Sequence, residues 1–187
     1  MNRFASARRV VVKVGTTTLT HGSGLLNYRR LERLVKTLAD LKNSGKEIVL
    51  VSSGAIGVGM GELGLSARPQ YMPTKQACAA VGQCELMYTY DKLFGEYNHS
   101  VAQILLTRED IVPGKRRGNA ANTFQRLLEF GVVPIVNEND TVSTEEIEIG
   151  DNDTLSAVVA TLIGADALVL LSDIDGLYTA NPKEDPT

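Results

Sequence analysis

Four short runs in this chain gather glycine, hydroxyl, amide and carboxylate groups as an anion-handling site requires. They are Lys13-Val14-Gly15-Thr16-Thr17-Thr18, Ser52-Ser53-Gly54-Ala55-Ile56-Gly57, Asn137-Glu138-Asn139-Asp140-Thr141 and Ser172-Asp173-Ile174-Asp175-Gly176. A fifth group, Asp151-Asn152-Asp153, stands at the start of a segment of helical pattern. Small residues ahead of a helix leave backbone N–H groups aimed outward, which favours anions. A lysine beside them supplies a mobile positive charge for phosphate. Carboxylates opposite can hold a substrate ammonium or position magnesium. Together these groups suit phosphoryl transfer to a small zwitterion. Each run alone is also compatible with ordinary turn chemistry, and it is their combination that points to a site.

The elements that must position them alternate along the chain. Apolar, β-branched runs at residues 9–14, 47–51, 101–106, 132–136 and 167–171 predict strands. Helical periods predict helices from Asn27, which reads as an N-cap, to a stop at Gly45, and then over residues 73–97, 119–130 and 151–163. Pro134 suggests an irregular or edge strand. Apolar strands interleaved with helices predict one α/β domain, a three-layer α/β/α sandwich around a mostly parallel sheet. In such a sheet ligands bind beyond the carboxyl ends of the strands, where the four runs fall.

Composition excludes several alternatives. Of 187 residues, 43% are hydrophobic and 22% charged, which is ordinary for a globular chain and wrong for a disordered one. Unbroken apolar runs reach only five residues, as at 167–171, too short for a membrane span. The first residues lack the apolar core of a secretory signal. A net charge of −3 argues against a duplex nucleic-acid binder, although a local basic patch can survive an acidic average. Two histidines and two cysteines leave little for zinc or a histidine-based triad, and no metal-ligand spacing is present. Cys78 and Cys84 read as small core thiols of a reducing cytoplasm.

Some motifs fail on inspection. No Walker-type phosphate loop occurs. Gly59-Met60-Gly61-Glu62-Leu63-Gly64 matches a dinucleotide fingerprint but begins well after its strand, with no acidic residue about 20 positions on. Asp173-Ile174-Asp175-Gly176 resembles a calcium-loop fragment without its first ligand or closing Glu. Lys115-Arg116-Arg117 reads as a solvated loop.

The assembled residues resemble the amino-acid kinase family, in the branch that phosphorylates the side-chain carboxylate of L-glutamate. The resemblance rests on Lys13-Val14-Gly15-Thr16-Thr17, Val51-Ser52-Ser53-Gly54-Ala55-Ile56-Gly57, Lys75-Gln76-Ala77 with Ala80-Val81-Gly82-Gln83, and Gln103-Ile104-Leu105-Leu106-Thr107-Arg108. It continues through Asn137-Glu138-Asn139-Asp140, Gly150-Asp151-Asn152-Asp153-Thr154-Leu155-Ser156 and Asp175-Gly176-Leu177-Tyr178, in family order. Acetylglutamate and carbamate kinases resemble this pattern less at Ser52-Ser53-Gly54-Ala55. Aspartate kinases differ at Lys13-Val14-Gly15-Thr16.

The resemblance implies an enzyme using ATP and Mg2+ to make L-glutamyl 5-phosphate from L-glutamate, the first step of proline biosynthesis. It implies that Lys13 bridges the phosphates and that Asp153 holds Lys13, these two being the catalytic pair. Gly15 and Gly54 would admit the phosphates close to the backbone. Ser53, Gly54, Asp140, Asp151 and Asn152 would line the glutamate site, with Asp140 a partner for the ammonium. Ser172 and Asp173 would touch the nucleotide. No resident metal site, no nucleic acid and no membrane are expected; a cytoplasmic homo-oligomer inhibited by proline is. Residues 1–187 read as the N-terminal and central part of the family domain, without its C-terminal nucleotide-binding part, so that this stretch alone is expected to be inactive. A kinase for another small carboxylate or phosphate, and a non-catalytic sensor of proline or glutamate, are the competing readings.

Overall fold

The computed structural model of the chain describes residues 3–142 and 152–172. Five strands, β1 (Arg9–Val14), β2 (Glu47–Ser52), β3 (Val101–Leu106), β4 (Val133–Glu138) and β5 (Ala167–Leu171), form one sheet in the order β3-β4-β2-β1-β5. Every pairing is parallel. The helices are α1 (Arg3–Ser6), α2 (Thr16–Leu19), α3 (Tyr28–Asn43), α4 (Ala55–Glu62), α5 (Met72–Gly95), α6 (Arg108–Ile111), α7 (Lys115–Glu129) and α8 (Asn152–Leu162).

The layering follows from the period-two alternation of strand side chains. Val10, Val12 and Val14 of β1 and Ile48 and Leu50 of β2 point to one face, where Leu31, Val35 and Leu38 of α3 and Leu86, Tyr90 and Phe94 of α5 cover them. Val11, Val49, Val51 and Val136 point to the other, against Phe124 and Leu128 of α7 and Leu155 and Val159 of α8. Each fully buried Val, Leu or Phe contributes roughly 1.5–3 kcal/mol, so both faces hold their helices firmly. The result is the expected α/β/α sandwich.

Local signals account for the helix ends. The Asn27 side chain accepts from the Arg30 N–H at the start of α3. Gly45 follows the helix with φ +94°, and Gly131 follows α7 with φ +71°. At α6 the Thr107 side chain and the Asp110 carboxylate form a reciprocal capping box.

Several expectations need correction. Pro134 lies in an internal strand, not at an edge: Val133 N–H donates to Ser100 on the β3 side, so the Pro134 nitrogen faces β2. The ladder with β2 begins only at Leu50↔Ile135, so no bond is lost there. Lys115-Arg116-Arg117 is the first turn of α7 rather than a loop, because Gly114 lets the chain enter the helix four residues earlier than its apolar period indicates. Cys78 is buried but Cys84 is exposed. Six residues of helix rotate it about 120° away from the packed face. Among the described residues the nearly all-apolar β5 pairs with β1 alone, and its Leu170 is half exposed. The short helices α1, α2, α4 and α6 have no apolar period to announce them.

Gly59, the first glycine of the 59–64 run, has a packing role that it shares with Gly82. A Cβ on Gly59 would overlap the Cys78 carbonyl, and one on Gly82 would overlap that of Ala55. These two let α4 and α5 cross with their backbones in contact, whereas Gly61 packs on the Gly24 backbone and Gly64 has φ +66° with nothing within 4 Å.

Candidate active site

The carboxyl ends of β1, β2 and β4, adjacent in the sheet, open onto one cavity of about 480 Å³. Its walls include Thr16 and Thr17 after β1, Ser53, Gly54, Ile56 and Gly57 after β2, and Asn137, Glu138 and Asp140 at the end of β4. Asn152 of α8 and Arg68 from the connection between α4 and α5 complete it. Of the residues singled out in sequence, Ser53, Gly54, Asp140 and Asn152 therefore share one space.

Lys13 approaches from below. It has the same parity on β1 as Val11, so its side chain projects toward the α7–α8 face rather than the α3–α5 face. There its Nζ meets Asp153 Oδ1 at 2.8 Å. The lysine side chain is only 13% exposed while the carboxylate is 46% exposed. A mobile cation is thus held at one address. Asp153 stands in the first turn of α8, where a carboxylate is also favoured by the helix dipole.

A chain of buried amides braces the cavity floor. Asn137 Nδ2 donates to Gln83 Oε1 of α5 at 3.0 Å. Asn137 Oδ1 in turn accepts from Asn152 Nδ2 at 2.9 Å. The same Asn152 group donates to Ser53 Oγ at 2.7 Å. This network ties β2, β4, α5 and α8 together. It leaves the Ser53 hydroxyl hydrogen to donate elsewhere, and Asn152 Oδ1 is buried without a partner. A buried acceptor left open costs free energy unless a ligand donor fills it. Beneath the site, Ser52 Oγ and the Tyr90 hydroxyl pair at 2.9 Å. Burial pushes the Tyr90 phenol well above its ordinary range, only partly offset by that hydrogen bond. It is a neutral buttress.

The two site glycines differ. Gly54 has φ +106° and caps α4, a conformation that other residues adopt only with strain. Gly15 has φ −84°, and a Cβ there would meet only Lys13 Nζ at 3.6 Å, an ordinary contact. Ser172 follows β5. Asp151, Asp173 and the Asp175-Gly176-Leu177-Tyr178 run lie outside the described residues.

Sequence reasoning passed over the bracing role of Gln83 and Asn137, and passed over Arg68 altogether. A buried amide pair 54 residues apart has no local signature, and Arg68 sits in a connection with no motif around it. Among the described residues no three His, Cys, Asp or Glu side chains gather as a metal site. No helix among them is long and apolar enough to cross a membrane.

Comparison with known proteins adds an independent line. The chain is 60% identical over 179 residues to a Clostridium acetobutylicum protein named Glutamate 5-kinase, covering 96% of this chain and 67% of that one. It is 59% identical over 180 residues to a Carboxydothermus hydrogenoformans protein of the same name, covering 96% and 48%. A Clostridium perfringens protein, again so named, is 55% identical over 181 residues, covering 95% and 67%. The chain thus spans about half to two thirds of the length of these relatives. The model of the amino acid kinase family matches residues 8–187. A match along almost the whole chain, over a parallel sheet whose strand ends converge on one polar cavity, shows that the chain belongs to the amino acid kinase family.

Proposed function

We propose that the protein transfers the γ-phosphoryl group of ATP to the side-chain carboxylate of L-glutamate, giving L-glutamyl 5-phosphate and ADP at the start of proline synthesis. The observation that carries this reading is the Lys13–Asp153 pair beside a cavity lined by Ser53, Asp140 and Asn152. The relatives named Glutamate 5-kinase support it.

The chemistry asks little of a general base. A carboxylate is already nucleophilic at neutral pH, so one of its oxygens forms the new bond to the γ-phosphorus as the bond to the bridging oxygen of ADP breaks. The barrier is the meeting of two anions, and catalysis is positioning plus charge neutralisation. Lys13, fixed by Asp153, supplies positive charge where the transferring phosphoryl group gains negative charge. Asp140 and the open Asn152 Oδ1 suit the substrate ammonium, and Ser53 Oγ is free to donate to a carboxylate. Ser172, and with it Asp173, would contact the nucleotide. Magnesium arrives as part of the MgATP substrate, its charge screening the phosphates.

The test is hydroxylamine trapping of the acyl phosphate with the whole protein. Hydroxamate that requires both glutamate and ATP is the expected result; hydroxamate from a different acceptor only would overturn the reading. Proline carries the α-carboxylate and ammonium of glutamate, so inhibition competitive with glutamate belongs to the same proposal. A cytoplasmic location and self-association complete it.

A further inference from the structure

We infer that Arg68 is a substrate-recognition residue, holding the carboxylate of the amino-acid acceptor that does not react. The inference rests on the proposed function and adds the group that tells a dicarboxylate from a monocarboxylate.

An acidic amino acid brings two carboxylates and one ammonium. The reacting carboxylate has Lys13 and the magnesium-bound phosphates for company. The ammonium has Asp140 and Asn152 Oδ1. The second carboxylate enters a cavity whose wall already holds two anionic side chains, Glu138 and Asp140, and needs a counter-charge of its own. Among the described residues Arg68 is the one cation in that wall. Among the described residues its guanidinium has no hydrogen bond or ion pair, so its donors are uncommitted. A planar fork of free donors is the usual partner for a carboxylate.

Its place in the fold fits this task. Arg68 projects from the connection after α4, whose Gly54 end lies in the cavity wall and whose body is locked to α5 by the Gly59 and Gly82 contacts. Cavity and connection are therefore carried on a rigid pair of helices, while the side chain itself remains exposed and able to fold over a ligand.

The experiment pairs Arg68→Gln and Arg68→Lys with two acceptors, L-glutamate and 4-aminobutyrate, which lacks only the α-carboxylate. Hydroxamate is measured on the whole protein. Arg68→Gln should raise the glutamate KM about tenfold to a hundredfold, the worth of a charge-assisted contact, with the ATP KM unchanged. Arg68→Lys should recover part of the loss. The kcat/KM preference for glutamate over 4-aminobutyrate should collapse in Arg68→Gln, a result that a merely structural role would not produce. An unchanged preference in a variant that still makes hydroxamate from glutamate overturns the Arg68 assignment alone. Wild-type protein that makes none from glutamate overturns the proposed function instead.

Discussion

Replacing Asp153 by Asn keeps the size of the side chain and removes its charge. At 2.8 Å the Coulomb attraction to Lys13 is about 6 kcal/mol at an effective dielectric of 20. That is an upper figure. The carboxylate is 46% exposed, so water recovers much of what the pair loses. The lysine, at 13% exposed, keeps more of its desolvation cost, and an uncharged amide still accepts one hydrogen bond. The surplus is about 2 kcal/mol, felt as a lysine that no longer rests at the phosphoryl position. Asp153→Asn should lower kcat about 30-fold, with a fall in unfolding stability of no more than about 2 kcal/mol. Lys13→Ala should lower kcat by about a hundredfold or more, because the charge itself is gone. Since Asp153 acts through Lys13, adding Asp153→Asn to Lys13→Ala should cost less than about threefold further. The assay is steady-state hydroxamate formation by the four members of this cycle. Fully multiplicative losses would refute the idea that the carboxylate works by holding the lysine. A rise in ATP KM at constant kcat in Lys13→Ala would make the lysine a ground-state binder only.

Three further outcomes are expected. Asp140→Ala should raise the KM for glutamate more than that for ATP; the opposite pattern would assign the β4 exit to the nucleotide. Gly82→Ala drives a Cβ into the Ala55 carbonyl, so α4 and α5 must separate at a cost of about 1–3 kcal/mol, whereas Gly95→Ala meets nothing within 4 Å; equal urea midpoints for the two variants would contradict the close crossing. The Asp110 carboxyl is pushed up by burial, but hydrogen bonds from Arg116 and Thr107 outweigh this and hold it below its ordinary value. Its stabilising contribution is thus present at neutral pH and lost as acid protonates it below the ordinary carboxylate range. Asp110→Asn should flatten the acid limb of a urea-denaturation pH profile, and an unaltered limb would remove the capping box as a source of acid sensitivity.

Much of the fold is written in local pattern. The alternation of β-branched runs with helical periods anticipates the five strands and four long helices of the described residues. Asn27, Gly45 and Gly131 mark helix ends because a cap or a positive φ needs only a few neighbouring residues to act. Pro134 misled because a missing donor matters only on the side where a ladder exists, and nothing in the residues around it says which neighbour that will be. The start of α7 was hidden for a related reason: Lys115, Arg116 and Arg117 carry no apolar period, so a solvated first helical turn looks like a loop.

The candidate site divides in the same way. Residue types alone told which runs could serve phosphate and zwitterion chemistry, since glycine, hydroxyl, amide and carboxylate groups have fixed capacities wherever they stand. Which of them would meet was decided by tertiary structure. The parity of Lys13 on β1 sends it toward α8 rather than α3, and the sheet order brings β4 beside β2, so Asn137 can join Gln83, Asn152 and Ser53 in one network. Arg68 lines the cavity from the connection between α4 and α5, whose backbones meet at Gly59 and Gly82. Such encounters join residues far apart in the chain, and only packing of the whole sheet sets the distances between them.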